Sequence, residues 1–353
     1  MVRARIGRNL VRAAAMACVA VLLGCAAPAV GPPPAPPVSV AAEDAAMRAA
    51  LRGRIGTIRL MACLSAMAYD GAPSPAQCPP ALLADYTVTP GIAIPLAGRH
   101  PGYEGRYIIA VNRRTGEQIV AIRGTANRDD ADTDAEIGKV WDDALRVHVH
   151  AGFRMYANAV YRDAKPRLRL DRPIAVTGHS LGGAAALLVG LYLYTDSPAP
   201  AVPPRVYTFG QPRVFDNEGV TSWPEFARHV VRIVACADPV PLVPTGDNPI
   251  SSIFRGTYLG NEGQTEYQHL GESVLLMDDG RYWMPGPVDV FRSLRTDLRA
   301  AVADFFHKAS QDHGIAQYLA RIAALGPGGE AARPLNPADL PPSVCRAEMP
   351  LNT

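Results

Sequence analysis

The sequence predicts an α/β fold built around a mostly parallel central sheet with helices on both faces. Two observations carry that prediction. Short apolar runs at 118–122, 173–177, 205–209 and 230–235 are bounded by turn or loop residues and read as continuous hydrophobic stretches, the pattern of strands buried on both faces. Helical patterns at 149–165 and 181–194 separate several of those runs, and strands alternating with helices assemble into a parallel sheet. The 353 residues, 48% of them hydrophobic, suffice for one large domain with appendages.

At the N-terminus, Arg3, Arg5, Arg8 and Arg12 precede an apolar run at 13–23 that is too short to span a bilayer as a helix and reads as the core of a secretion signal. It ends in Leu22-Leu23-Gly24-Cys25, which resembles a bacterial lipoprotein lipobox, where the chain is cut before the cysteine and Cys25 is acylated. An ordinary signal peptide with a chance cysteine is the other reading. Residues 26–37 contain six prolines and form an extended, semi-rigid spacer suited to a tether. Removing residues 1–24 takes away four arginines and no acid, so the formal charge moves from +2 to −2. The near-neutral mature chain implies neither a nucleic-acid partner nor strong attraction to anionic lipid. The expectation is an exported protein of the bacterial cell envelope, an outer-membrane lipoprotein held to the membrane through its N-terminal lipid.

The predicted organisation is a lipoprotein signal peptide at 1–24, the lipidated cysteine and proline-rich tether at 25–42, the α/β domain at 43–325 and an extended tail at 326–353. Residues 43–70 carry Leu51, Ile55, Ile58, Met61 and Ser65 three or four apart, a helical stripe. Two strands, 106–111 and 118–122, flank the turn Arg113-Arg114-Thr115-Gly116, and Phe291, Leu294, Leu298, Val302 and Phe305 mark an amphipathic helix. Of the cysteines left after the signal and Cys25, Cys63, Cys78, Cys236 and Cys345 allow two disulfides in three pairings. Cys63 with Cys78 is the local choice; Cys236 either pairs with Cys345 or is a small buried core residue. No pair has zinc-site spacing.

Residues 174–185 read IAVTGHSLGGAA: an apolar strand, a sharp turn and a helix of small and apolar residues. A serine on such a turn needs glycine two positions before and after it, here Gly178 and Gly182, because a Cβ there would meet neighbouring backbone. Ser180 is therefore the candidate nucleophile. The following helix begins at Leu181, and its N-terminal N–H groups gather where an oxyanion would form. A serine is inert at neutral pH without an imidazole to take its proton and a carboxylate to orient the imidazole. Asp238 directly follows the apolar strand HVVRIVA, at the strand end where functional groups cluster in such sheets.

With these residues in place the chain resembles the class 3 lipases, the fungal-lipase-like branch of the α/β-hydrolases. The resemblance covers about 61–285 and rests on the elbow, TFGQPRV at 208–214, CADPVPLVP, AIRGT at 121–125 and HAGF at 150–153. It implies an α/β-hydrolase fold with a short lid, and oxyanion contacts from Thr125 and the N–H of Leu181. It also implies a base in a Tyr-x-His-x-Gly/Ser-x-Glu context. Tyr267-Gln268-His269-Leu270-Gly271-Glu272 matches that context closely, with Glu272 one position early, so His269 is the expected base. His313, in DHGIAQYL, is the alternative, His307 is a surface residue, and His179 and His150 are structural.

The lid belongs between Thr125 and His150, where Ile137, Val140, Trp141 and Leu145 are expected on one helical face. Its first half is acidic through Asp129, Asp130, Asp132, Asp134 and Glu136, which counts against strong interfacial activation. The Asp130-x-Asp132-x-Asp134 alternation has Ala135 and Trp141 where a calcium loop needs glycine and glutamate, so it reads as a solvated loop and no metal is expected.

The resemblance thus implies a serine hydrolase that cleaves carboxylic esters of lipids without a cofactor. Acylglycerol lipase, phospholipase A1 and short-chain esterase all stay open. The rival from another class is a noncatalytic hydrolase-fold lipoprotein that binds lipid or an envelope partner; the intact serine, aspartate and histidine argue against it.

Overall fold

Strands that are apolar on both faces must be covered on both sides, and the elements of the chain are arranged to do so. The computed structural model describes residues 40–69, 78–96, 104–124, 138–196, 202–242, 267–284 and 312–335, and Asp44–Thr353 is a single unit. In chain order the elements begin with α1 (Val40–Met67), β1 (Tyr86–Val88), β2 (Ile92–Pro95), β3 (Glu104–Asn112), β4 (Gln118–Ile122), β5 (Lys139–Asp142), β6 (Val147–His150) and α2 (Ala151–Ala164). They continue with β7 (Ile174–His179), α3 (Leu181–Asp196), β8 (Arg205–Phe209), β9 (Phe215–Asp216), β10 (Val230–Ala235) and β11 (Tyr267–Gln268). The last are β12 (Glu272–Leu276), β13 (Arg281–Trp283), α4 (Ile315–Ala324) and β14 (Arg333–Pro334), and a few short helices lie between.

Among the described residues the main sheet runs β1-β3-β4-β7-β8-β10-β12-β13-β14, with β2 also paired to β3. Its centre, β4 through β12, is parallel, while β1, β2 and β3 on one side and β13 on the other join antiparallel. This mostly parallel sheet with helices on both faces is an α/β-hydrolase fold. Successive β4 residues point to opposite faces. Val120 and Ile122 enter a core with Phe153, Tyr156 and Val160 of α2 and the apolar residues of α3. Ile119 and Ala121 enter a second core with Leu51, Ile55, Ile58 and Met61 of α1 and Tyr318, Leu319 and Ile322 of α4.

Helix α3 is buried at every position from Leu181 to Leu193, so it has no solvent face. Leu187, Leu188 and Leu191 are fully buried, and each such side chain contributes about 2 kcal/mol. The turn that carries Ser180 is therefore braced by one of the most deeply packed segments.

Three expectations change. Residues Val140 and Trp141 lie in β5, antiparallel to β6, with Trp141 opposite His148, while Leu145 is buried in the core; they do not share a helical face. The alternation of Lys139-Val140-Trp141-Asp142 against Val147-His148-Val149-His150 makes a hairpin, closed by Asp142 Oδ1 accepting from the N–H groups of Ala144 and Leu145 at 3.0 Å each. The acidic segment with Ile137 lies outside the described residues. The second change is in the tail, whose first part is not extended away from the domain. β14 pairs with β13, the Leu335 N–H donates to the Tyr282 carbonyl at 2.8 Å, and Ala332 and Leu335 are buried. Thirdly, the helix expected from residue 149 starts at Ala151, because β6 occupies the preceding residues. The helix expected at 291–305 lies outside the described residues. Cys63 and Cys78 are joined. Cys236 is also disulfide-bonded, and Cys345 lies outside the described residues.

Candidate active site

The parallel strands end on one side of the sheet, and the chemistry gathers there. Ser180 sits between β7 and α3 with φ +59°, in the left-handed region where a non-glycine residue is strained. The glycines around it leave no alternative. A Cβ on Gly178 would lie 2.2 Å from the Gly182 carbonyl oxygen, and one on Gly182 would lie 2.2 Å from the Ile122 carbonyl oxygen. The Ser180 N–H donates to the Phe209 carbonyl at 2.9 Å, which ties the turn to the end of β8. Leu181 is the first residue of α3 and is buried; its N–H belongs to the first turn, where a helix has no acceptor of its own to offer.

Asp238 lies just beyond β10 and is fully buried. Its Oδ1 accepts from the Val240 N–H at 2.9 Å, and its Oδ2 accepts from the Tyr318 hydroxyl at 2.6 Å and from His313 Nδ1 at 2.8 Å. Burial by itself would raise the Asp238 pKa. The His313 charge and the bonds from His313, Tyr318 and Val240 outweigh it and hold the carboxyl below the usual carboxylate range. The other ring nitrogen of His313, Nε2, stands 2.7 Å from Ser180 Oγ. Serine, histidine and aspartate thus form one continuous hydrogen-bonded row.

The histidine in that row corrects the expectation of His269. His269 lies between β11 and β12, and its Nε2 donates to the Pro241 carbonyl at 2.7 Å. A backbone carbonyl only accepts, so that nitrogen must carry a proton and cannot take one from a serine. His313 instead precedes α4, whose N-cap is Gly314. Its neighbour Asp312 is held by Arg321 Nη2 at 3.0 Å, and Arg321 is itself nearly buried. The short DHG turn is therefore pinned to the helix that follows it.

Thr125 and Cys25 lie outside the described residues, as does His307. The residue before Thr125, Gly124, is placed against the elbow: a Cβ there would come 3.1 Å from Ser180 Cβ and 2.4 Å from the His179 carbonyl oxygen. His150 caps α2, with its Nδ1 accepting from the Phe153 N–H at 3.4 Å. Sequence reasoning missed Tyr318, one turn into α4, whose hydroxyl also accepts from the Ala235 N–H at 3.2 Å. It missed Tyr69 too, whose hydroxyl accepts from the Gly124 N–H at 3.1 Å. Neither tyrosine belongs to a local motif; only the spacing of Tyr318 from the His-Gly pair ahead of a helix could have drawn attention to it.

Fold and geometry together define a class: an α/β-hydrolase fold with a Ser–His–Asp row at the C-terminal ends of its parallel strands. A family model described as lipase (class 3) matches residues 119–248, which hold the elbow serine and Asp238. Among curated proteins, the chain is 31% identical over 147 residues to secreted mono- and diacylglycerol lipase 1 of Fusarium solani, covering 40% of this chain and 43% of that one. It is 39% identical over 203 residues to toxin TseL of Vibrio cholerae, covering 50% of this chain and 31% of that one. The chain thus spans less than half the length of these two relatives. Among solved structures, lipase II from Rhizopus niveus aligns with a TM-score of 0.48 at 23% identity, covering 63% of this chain and 80% of that one.

Proposed function

We propose that this chain is a class 3 lipase that hydrolyses carboxylic esters of lipids through an acyl-enzyme on Ser180. The observation that carries the reading is the His313 ring, set between Ser180 Oγ at 2.7 Å and Asp238 Oδ2 at 2.8 Å. With Nδ1–H donating to Asp238, Nε2 is an acceptor facing the serine hydroxyl. Ser180 Oγ attacks the acyl carbonyl while His313 takes its proton, and Asp238 stabilises the imidazolium that forms. The N–H of Leu181 and the contact supplied by Thr125 receive the oxyanion. His313 then protonates the departing alcohol, and water activated by the same ring releases the fatty acid.

Acylglycerols are the first substrates to test, a choice supported by the name of the Fusarium relative. We further infer that the chain is exported and held at the bacterial outer membrane through acylated Cys25, supported by the arginine-rich start, the short apolar run and Leu22-Leu23-Gly24-Cys25. Replacing Cys25 by serine should release the protein from the membrane fraction; retention there contradicts the anchor.

Hydrolysis of p-nitrophenyl esters of increasing chain length and of emulsified mono-, di- and triacylglycerols, with Ser180→Ala as control, tests the activity. Serine-dependent turnover is expected. None on any of these or on phospholipids would leave a binding module as the better account.

A further inference from the structure

Behind the Ser–His–Asp row runs a second row of hydrogen bonds. The Gly124 N–H donates to Tyr69 Oη at 3.1 Å, and Tyr69 Oη stands 2.9 Å from His179 Nδ1. His179 Nε2 stands 2.5 Å from the carbonyl oxygen of His313. Both ends of this row are backbone groups of fixed polarity: an amide N–H that only donates and a carbonyl that only accepts. One proton arrangement satisfies every link. His179 carries its proton on Nε2 and gives it to the His313 carbonyl. Its Nδ1 is then an acceptor and receives the single hydroxyl proton of Tyr69, whose oxygen receives the Gly124 N–H.

We propose that Tyr69 and His179 are positioning residues for the proposed hydrolysis, a strut that sets the distance between the backbone leading into Thr125 and the backbone that carries His313. The inference rests on the functional reading above. The strut joins the two sides of the reacting carbonyl, the oxyanion side and the base side, without touching substrate.

The anchorage of the strut is rigid. Tyr69 lies just past the end of α1, where its N–H donates to the Ala66 carbonyl at 3.1 Å. That end of α1 is held covalently by the Cys63–Cys78 bond and to β7 by Ser65 Oγ and Thr177 Oγ1 at 3.0 Å. His179 belongs to β7 itself and precedes the nucleophile. The strut also has the right charge. The His179 and His313 rings are 4.6 Å apart, so a cationic His179 would repel the imidazolium that forms on His313. Burial, and after it the nearby His313, push the His179 pKa down to about 3, so the ring is neutral when His313 is charged.

The test uses the full chain with three variants, Tyr69→Phe, His179→Asn and His179→Gln, alongside wild type and Ser180→Ala. Glutamine places an N–H₂ near the position of Nε2 and can still donate to the His313 carbonyl; asparagine reaches only the position of Nδ1. Misplacement of the base by a fraction of an ångström lowers the rate more than binding, so Tyr69→Phe and His179→Asn should lose about 10- to 100-fold in kcat with KM within about twofold. His179→Gln should recover to within about threefold of wild type. Equal losses in Gln and Asn variants, a change in KM alone, or unchanged kcat in Tyr69→Phe would overturn the strut. Should a variant fail to fold, ¹⁵N NMR of the wild type decides the matter. The strut requires a neutral, Nε2-protonated His179 that does not titrate between about pH 8 and 5; an Nδ1-protonated or titrating ring contradicts it. Absence of serine-dependent turnover in wild type defeats the hydrolase reading and the strut with it, whereas normal turnover with indifferent variants defeats the strut alone.

Discussion

The His269 and His313 segments invite comparison, because both follow Asp238, both lead into a regular element and both rings are largely enclosed. His269 is 7% exposed and the His313 side chain 16%, so burial does not separate them. Their partners do. His269 Nε2 faces the Pro241 carbonyl, a permanent acceptor, whereas His313 places a carboxylate on Nδ1 and a hydroxyl on Nε2. A carbonyl makes the ring a donor and a structural tie. A carboxylate behind the ring and a hydroxyl in front make it an acceptor ready to be charged. Polarity of the partners, rather than residue type or depth, divides a brace from a base.

The comparison can be broken most sharply by removing each ring. His313→Ala should lower kcat/KM by at least about 10⁴-fold, the scale of triad losses, while His269→Ala should stay within about tenfold of wild type. The reverse ranking would return the base to His269. A measurement of unfolding sharpens it: His269→Ala deprives a buried carbonyl of its donor and should lower stability by about 1–3 kcal/mol in urea titration. His313→Ala should have the smaller effect. On the His313 side, Tyr318→Phe removes one donor from Asp238 and should reduce kcat/KM by about tenfold, well short of the loss from His313→Ala. An equal loss would make Tyr318 part of the reacting row itself.

The remaining effect, on acid stability, is read as a slope against pH. The pKa of His179 is depressed in the folded chain to about 3, against about 6.5 when unfolded. The unfolded state therefore binds the extra proton between those values, and the contribution of the neutral ring is complete above about pH 6.5 and is lost as the pH falls toward 3. Comparison of wild type with His179→Gln in urea from pH 8 to 4 should show a steeper acid decline in wild type, by up to about 1.4 kcal/mol per pH unit. Parallel curves would contradict the neutral buried ring. Asp238, with its depressed pKa, acts lower on the scale: its contribution is present above about pH 3.9 and lost as the pH drops below that value.

Much of the fold and half of the site can be read from the chain because they are local. The parallel strands declare themselves as short apolar runs, and the Gly-x-Ser-x-Gly turn is dictated by backbone collisions within a few residues of Ser180. Asp238 follows from its place at the end of β10. The base does not, since the His313–Asp238 contact spans 75 positions and its formation depends on where the chain returns after β13. The sequence context around His269 fits the family pattern, yet no nearby residue announces that Pro241 will claim its Nε2. Tyr69 and Tyr318 are invisible for the same reason: one just past the end of α1 and the other on the buried face of α4, each is a single aromatic until the fold aims its hydroxyl. The misread hairpin at β5 and β6 is a different case: Val140, Trp141 and Leu145 satisfy a helical spacing, but the alternation in two adjacent segments and the Asp142 turn favour pairing.

The central claim is that His313 activates Ser180. Labelling of the full chain with a fluorophosphonate, located by peptide mass spectrometry and followed over time, tests it directly because the reagent reports the activated serine whatever the natural ester. Labelling at Ser180 in wild type and His269→Ala, with loss of labelling in His313→Ala, is the predicted result. Loss in His269→Ala with retention in His313→Ala would contradict the account.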